Sequence, residues 1–351
     1  MTMTINTDDI RIEHTRPLIS PGVLAQELPL DDATAATVAG HRRTVEAILA
    51  GKDPRILVIA GPCSVHDPAA LLEFAAGFKA ACEPLADAIF PVLRVYFEKP
   101  RTVIGWKGLI NDPDLDGSFQ INKGLRLARK VLLDVAGMGL PSASEFLDTT
   151  FGQYYADLVS FGAIGARTVE SQVHRELASG LSMPVGFKNS TNGHVDVAID
   201  AIRSAGHGHW FPSLTKEGTP AVLKSKGNPH SYLILRGGKQ SGPNYGPEAV
   251  QAAAAALAAA QLPASLIVDC SHGNSEKDHR RQAQVMSSLC EQVQGGDRAI
   301  RGVMLESHLV EGNQPMGEQL VYGQSITDAC LALEDTVPLL QQLAAAQRMA
   351  G

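Results

Sequence analysis

Leu57-Val58-Ile59-Ala60-Gly61-Pro62 is the stretch that decides the fold. Four apolar residues follow one another without a polar break and stop at Gly-Pro. A half-exposed strand would alternate, and a helix would need a longer run of period 3.6. A short continuous run closed by turn residues is a strand buried on both faces. The pattern recurs over 92–97, 140–144, 158–164, 185–187, 232–235, 265–268 and 300–305. Helical spacing occupies the intervals, over 68–82, 120–137, 171–180, 194–205, 246–261, 278–294 and 325–349. Eight buried strands alternating with helices predict an α/β fold with a parallel sheet, and eight is the number that closes a (β/α)8 TIM barrel.

Two segments fall outside the repeat. Residues 1–50 form an N-terminal extension, with an extended candidate around 10–12 and a helix over 33–50. Residues 207–231 interrupt the chain before the sixth strand. There Trp210 to Leu214 and Ala221 to Leu223 read as two strands around Lys216-Glu217-Gly218, an inserted β-hairpin. Residues 51–351 are then the barrel, and no low-complexity linker divides them.

Composition narrows the class. The chain has 351 residues, 44% of them hydrophobic and 19% charged, as in a globular protein with a sizeable core. A net charge of −7 argues against nucleic acid and anionic membrane as partners. Five cysteines, odd in number and without a CxxC pair, fit a reducing compartment. Met1 to Asp9 has no basic start and no apolar stretch, so a cytoplasmic location is expected.

In such a barrel the chemistry belongs to the carboxyl ends of the strands. One set of residues there is cationic: Arg94, Lys99, Arg101, Arg167, Lys188 and Arg236. On an acidic protein, six cations at one mouth repel unless anions join them. At roughly two cations per anion they suffice for about two phosphates and a carboxylate. A second set is Cys63, His272, Glu306 and Asp328, the last expected at the start of the final helix. A thiol, an imidazole and two carboxylates make a mixed site for a divalent transition metal, with manganese, iron, cobalt and zinc all open. His66, His207 and His209 are expected at the surface or in loops.

Several stretches then resemble one family over nearly the whole chain, from about Asp8 to Asp335. They are Gly61-Pro62-Cys63-Ser64, Arg94 to Thr102, Gly105-Trp106-Lys107-Gly108, Gly165-Ala166-Arg167-Thr168, Gly186-Phe187-Lys188-Asn189, Leu235-Arg236-Gly237-Gly238, Asp269-Cys270-Ser271-His272 and Glu306 to Asn313. They resemble type I 3-deoxy-D-arabino-heptulosonate-7-phosphate (DAHP) synthase, of the feedback-regulated subclass. The resemblance implies a (β/α)8 barrel that condenses phosphoenolpyruvate with erythrose 4-phosphate, the first step of the shikimate pathway. It implies metal ligands at Cys63, His272, Glu306 and Asp328. Phosphoenolpyruvate contacts are implied at Arg94, Lys99, Arg167, Lys188 and Arg236, and through backbone N–H at Glu145 and Ala166. Erythrose phosphate contacts are implied at Lys99, Pro100, Arg101 and Thr102.

The family also uses its N-terminal arm and inserted hairpin as an aromatic amino acid site near a subunit interface, in a homodimer or homotetramer. The matching positions are Asp8, Asp9, Gln153, Ser182, Phe211, Ser213 and Leu223. Ser213 stands where tyrosine-sensitive members carry glycine, which favours phenylalanine or tryptophan as effector. Gly152 departs from the proline that many relatives have before the Gln-Tyr pair. Two rivals fit less well. The sister synthase for arabinose 5-phosphate carries a Lys-Ala-Asn-Arg-Ser type of loop where this chain has Lys99-Pro100-Arg101-Thr102. A catalytically dead sensor would have lost a metal ligand or Lys99, and none is lost.

Overall fold

The structure is a computed structural model that describes residues 6–317 and 319–350; the first five residues of the expected extension lie outside it. The strands, in chain order, are β1 (Ile56–Gly61), β2 (Ile89–Arg94), β3 (Ser142–Glu145), β4 (Phe161–Ile164), β5 (Val185–Lys188), β6 (Trp210–Leu214), β7 (Pro220–Lys224), β8 (Ser231–Leu235), β9 (Leu266–Asp269), β10 (Ile300–His308), β11 (Val310–Asn313), β12 (Gln324–Ser325) and β13 (Leu331–Ala332). β1, β2, β3, β4, β5, β8, β9 and β10 pair in parallel in that order, and β10 returns to β1 through Leu57↔Gly302 to Gly61↔Glu306. The sheet is a closed eight-stranded barrel. β6 and β7 are the antiparallel hairpin, outside the ring.

The helices are α1 (Pro21–Glu27), α2 (Asp32–Leu49), α3 (Pro68–Cys82), α4 (Ile121–Gly137), α5 (Gly152–Tyr155), α6 (Gln172–Gly180), α7 (Asp196–Ala205), α8 (Pro247–Ala259), α9 (Gln282–Gln294) and α10 (Leu333–Ala350). Side-chain alternation splits the core in two. Val58, Ala60, Leu93 and Val268 point outward into the layer shared with the helices. Leu57, Ile59, Val92, Phe161, Ile267 and Met304 point into the barrel, where Val45, Ile48 and Leu49 of α2 pack against them. Asp31 caps α2 by accepting from the Thr34 N–H at 2.7 Å. No described helix is long and apolar enough to cross a membrane.

Four expectations shift. The second strand spans 89–94 rather than 92–97. Pro91 is tolerated because β3 first meets β2 at Leu93, so no ladder partner on that side needs its missing N–H. Val95 to Phe97 leave the strand, and Tyr96 O accepts from Val65 N in the loop after β1. The final helix begins at Leu333, not 325, because 324–332 is used by β12 and β13 and by the Gly312–Cys330 backbone pair. Asp328 therefore lies in a loop before that helix. Residues 10–12 make a turn, closed by Ile12 N donating to Asp9 O, rather than an extended segment. His66, expected at the surface, is buried edge-on to His308.

Candidate active site at the barrel mouth

Strand ends deliver the site. Arg94, Glu145, Lys188 and Asp269 are the last residues of β2, β3, β5 and β9, and Arg236 comes directly after β8. Arg94, Glu145, Lys188 and Arg236, with Lys99, Pro100, Arg101, Ala166, Arg167, His272, Glu306 and Asp328, line one cavity of about 360 Å³. All six cations expected at strand ends converge there.

The backbone holds the loop after β2 in a tight form. Lys99 N donates to Lys107 O at 3.0 Å, and Glu98 bridges to Gly108. Gly108 has φ +113°, and a Cβ there would stand 2.0 Å from Phe97 O, so only glycine closes this loop. Lys99 bends inward, its Nζ 2.9 Å from Cys63 Sγ. Arg101 and Thr102 stay exposed at the tip, where Arg167 Nε donates to Thr102 Oγ1 at 3.2 Å.

The floor holds the mixed donor set. Single ligand atoms of Cys63, Glu306 and Asp328 lie within 4.8 Å of one another, with Cys63 Sγ 3.5 Å from Asp328 Oδ2. His272 stands beside them, Nε2 3.7 Å from Glu306 and Nδ1 3.9 Å from Asp328. Burial pushes the Cys63 thiol up to about 12, with Glu306 adding to the shift. Burial also raises Glu306, with Asp328 adding against the opposing pull of Arg94, and lowers His272 well below its ordinary value. The imidazole is thus neutral and available as a ligand. Burial alone would pull the Lys99 ammonium down, but the acids around it, Glu306 and Asp328, together with the Cys63 sulfur, more than offset burial and raise it above its ordinary value. Acids and a thiol crowded this closely, with a neutral imidazole, fit a divalent cation in chemistry and spacing.

Two cations are tied into the floor. Arg94, fully buried over the Tyr96 ring, donates to Pro62 O at 3.0 Å, Cys63 O at 3.1 Å and Glu306 Oε1 at 3.1 Å. Lys188 Nζ lies 2.7 Å from Asp269 Oδ2. Asp269 was legible as a strand-end acid but not as this partner. Gln282, Ser275, Lys277 and Asn313 also line the cavity and were not anticipated. Nothing in the sequence context of Gln282, Ser275 and Lys277 separates them from ordinary helix-start and loop residues, whereas Asn313 ends a stretch that carries the family resemblance.

The effector positions gather only in part. Phe211 pairs across the hairpin with Leu223, and Phe211 and Ser213 line a second cavity of about 140 Å³ with Thr149, Val173 and Leu177. Lys216 at the hairpin tip donates to Gln153 O at 2.6 Å and accepts from Gly22 N at 2.5 Å. Ser182 is exposed after α6 and does not line this cavity. Asp8 and Asp9 lie in an exposed turn, and no hydrogen bond or ion pair joins them to the hairpin among the described residues.

Fold and site together define a barrel enzyme for phosphorylated, anionic substrates. The sequence pattern of the DAHP synthetase I family matches residues 31–341. The Phe-sensitive phospho-2-dehydro-3-deoxyheptonate aldolase of Escherichia coli K12 is 55% identical over 344 residues, covering 97% of this chain and 98% of that protein. The Trp-sensitive enzyme of Enterobacter agglomerans is 52% identical over 342 residues, covering 97% and 98%. The solved phospho-2-dehydro-3-deoxyheptonate aldolase from Francisella tularensis SCHU S4 superposes with a TM-score of 0.95 at 51% identity, covering 97% of this chain and 99% of that one. The chain belongs to the DAHP synthetase I family, in its feedback-regulated subclass. Its reaction is the family's: phosphoenolpyruvate, D-erythrose 4-phosphate and water give 3-deoxy-D-arabino-heptulosonate 7-phosphate and phosphate, the first step of the shikimate pathway. The family is metal-dependent and regulated by aromatic amino acids.

Proposed function

We propose that the barrel mouth carries out this condensation through a division of roles among its residues. The observation that supports the reading is the convergence of six cations on one cavity whose floor holds the mixed donor set. Cys63, His272, Glu306 and Asp328 would hold a divalent ion, of manganese, iron, cobalt or zinc. When bound, that ion supplies Lewis-acid polarisation of the aldehyde oxygen.

The chain's own residues bind, orient and move a proton. Arg94 and Lys188 take the phosphoenolpyruvate carboxylate, and Arg167 and Arg236 take its phosphate, helped by the backbone N–H groups of Glu145 and Ala166. Arg101 and Thr102, with Pro100 shaping the turn, take the phosphate of erythrose 4-phosphate. Holding two mutually repelling anions at bonding distance is the larger part of the catalysis. The methylene carbon of phosphoenolpyruvate bonds to the aldehyde carbon, and Lys99, protonated between the two substrates, gives its proton to the new alkoxide. Water adds at C2, and phosphate leaves with cleavage of its C–O bond.

The arm and hairpin form the regulatory part of the chain in this reading, with phenylalanine or tryptophan rather than tyrosine as effector. Exposed apolar side chains on both, Ile10, Ile12, Trp210 and Val222, support a homodimer or homotetramer built through them. Five free, buried cysteines support a cytoplasmic location.

Arg101→Ala tests the substrate division. Removing a charge-assisted bond to phosphate costs about 1.5–3 kcal/mol, or roughly 10- to 150-fold in kcat/KM for erythrose 4-phosphate, with KM for phosphoenolpyruvate unchanged. A kcat/KM for erythrose 4-phosphate within about threefold of the parent contradicts the assignment.

A further inference from the structure

β10 outruns its neighbour. Its last ladder position against β9 is Met304↔Asp269, yet it continues to His308. Beyond that point the Glu306 backbone has no strand on the β9 side. Gln282, the first residue of α9 and completely buried, fills the place of one. Glu306 N donates to Gln282 Oε1 at 2.8 Å, and Gln282 Nε2 donates to Glu306 O at 3.0 Å. The primary amide copies the donor and acceptor of a single strand residue. Its orientation is fixed, because flipping it would set N–H against N–H and oxygen against oxygen.

The residue held in this way matters for the floor. Glu306 Oε1 is 3.1 Å from Arg94 and 3.7 Å from His272, and its carboxylate closes the group with Cys63 and Asp328. A peptide pinned on both sides, by Gly61 of β1 and by Gln282, leaves that carboxylate little room to rotate. Partners one shell out from a ligand commonly set its geometry and its affinity for the ion.

We propose that Gln282 is a positioning residue for the divalent-cation site, acting through the Glu306 backbone rather than on substrate. The inference rests on the reading of Glu306 as a ligand, and the experiment separates the two. Mn²⁺ is titrated calorimetrically into the chelator-stripped full chain for the parent, Gln282→Met, Gln282→Asn, Gln347→Met and Glu306→Gln, with a melting curve for each. Gln282→Met keeps the side-chain length and strands both Glu306 backbone groups; its Kd for Mn²⁺ rises about 10- to 100-fold. Gln282→Asn retracts the same amide by one methylene, moves Kd in the same direction, and serves should the Met variant not fold. Gln347 is also a buried glutamine, donating to Pro54 O at 2.5 Å on α10. Gln347→Met should melt lower while its Kd stays within about threefold of the parent. A merely structural role for Gln282 would give the same result as Gln347→Met, a lower melting temperature with unchanged Kd, and that result overturns the proposal. Loss of binding in Glu306→Gln beside unchanged binding in both Gln282 variants overturns the positioning role alone. Unchanged binding in Glu306→Gln overturns the ligand reading itself.

Discussion

Lys188→Met removes one charge from the floor, and the burial of its partner sets the size of the effect. Lys188 is 4% exposed and Asp269 is 0% exposed, with Nζ and Oδ2 2.7 Å apart. Breaking a buried pair from one side leaves an uncompensated charge and costs about 3–5 kcal/mol. At about 2.1 cal/mol/K per residue, a chain of 351 residues has a melting entropy of about 0.7 kcal/mol/K, so Tm falls by about 4–7 °C. The loss also changes with pH. Burial alone would raise Asp269, but Lys188 above all, with Arg94, holds it well below its ordinary value. In the parent its contribution is therefore present above pH about 4 and lost only in acid. Without Lys188 its strongest opposing influence is gone, and burial moves the folded carboxyl upward from its value in the parent. The folded variant then binds the proton more tightly than the folded parent, so its deficit grows as pH climbs and shrinks on return to acid. Urea titrations at pH 5 and pH 7.5 read both effects. Asp269→Asn added to Lys188→Met restores stability but not activity. A Tm within about 1 °C of the parent refutes the buried pair. A kcat/KM for phosphoenolpyruvate within about threefold, roughly 0.65 kcal/mol, refutes the carboxylate role separately.

Glu98, buried beside Lys99, is pushed up to about 8 by burial, with Asp148 adding to the shift. Its folded carboxyl keeps a proton that the unfolded chain has lost, so the stability it contributes is present below about pH 4.5 and lost as pH rises toward about 8. Glu98→Gln should flatten the decline in urea midpoint between pH 5 and pH 8, and an identical decline in both proteins counts against this. Assayed with phenylalanine, tyrosine and tryptophan in turn, the chain should be inhibited by phenylalanine or tryptophan. Inhibition by tyrosine above the other two, or by none, contradicts the effector reading drawn from Ser213.

The barrel was legible because strands buried on both faces are written as unbroken apolar runs, and Leu57 to Ala60 is the plainest of them. β12 and β13 are two residues each, too short to carry any period, so 325–332 read as the start of a helix. Pro91 masked the first turn of β2, because only the late arrival of β3 excuses a proline there. At the site, charged residues just past strand ends marked the mouth. Cys63, Glu306 and Asp328 are far apart in the chain; their places at strand ends grouped them only weakly, and the family resemblance strengthened the set. The Lys188–Asp269 pair and the Gln282 clamp were not readable. Each depends on where one strand stops relative to its neighbour, a property of register rather than of residue type.

The most direct measurement tracks the consumption of phosphoenolpyruvate by the chelator-treated chain in the presence of erythrose 4-phosphate. Activity should vanish on chelation, return on adding a divalent ion of manganese, iron, cobalt or zinc, and be absent from Cys63→Ala under every condition. Turnover that survives chelation, or a Cys63→Ala variant as active as the parent, contradicts a metal-assisted condensation at this mouth.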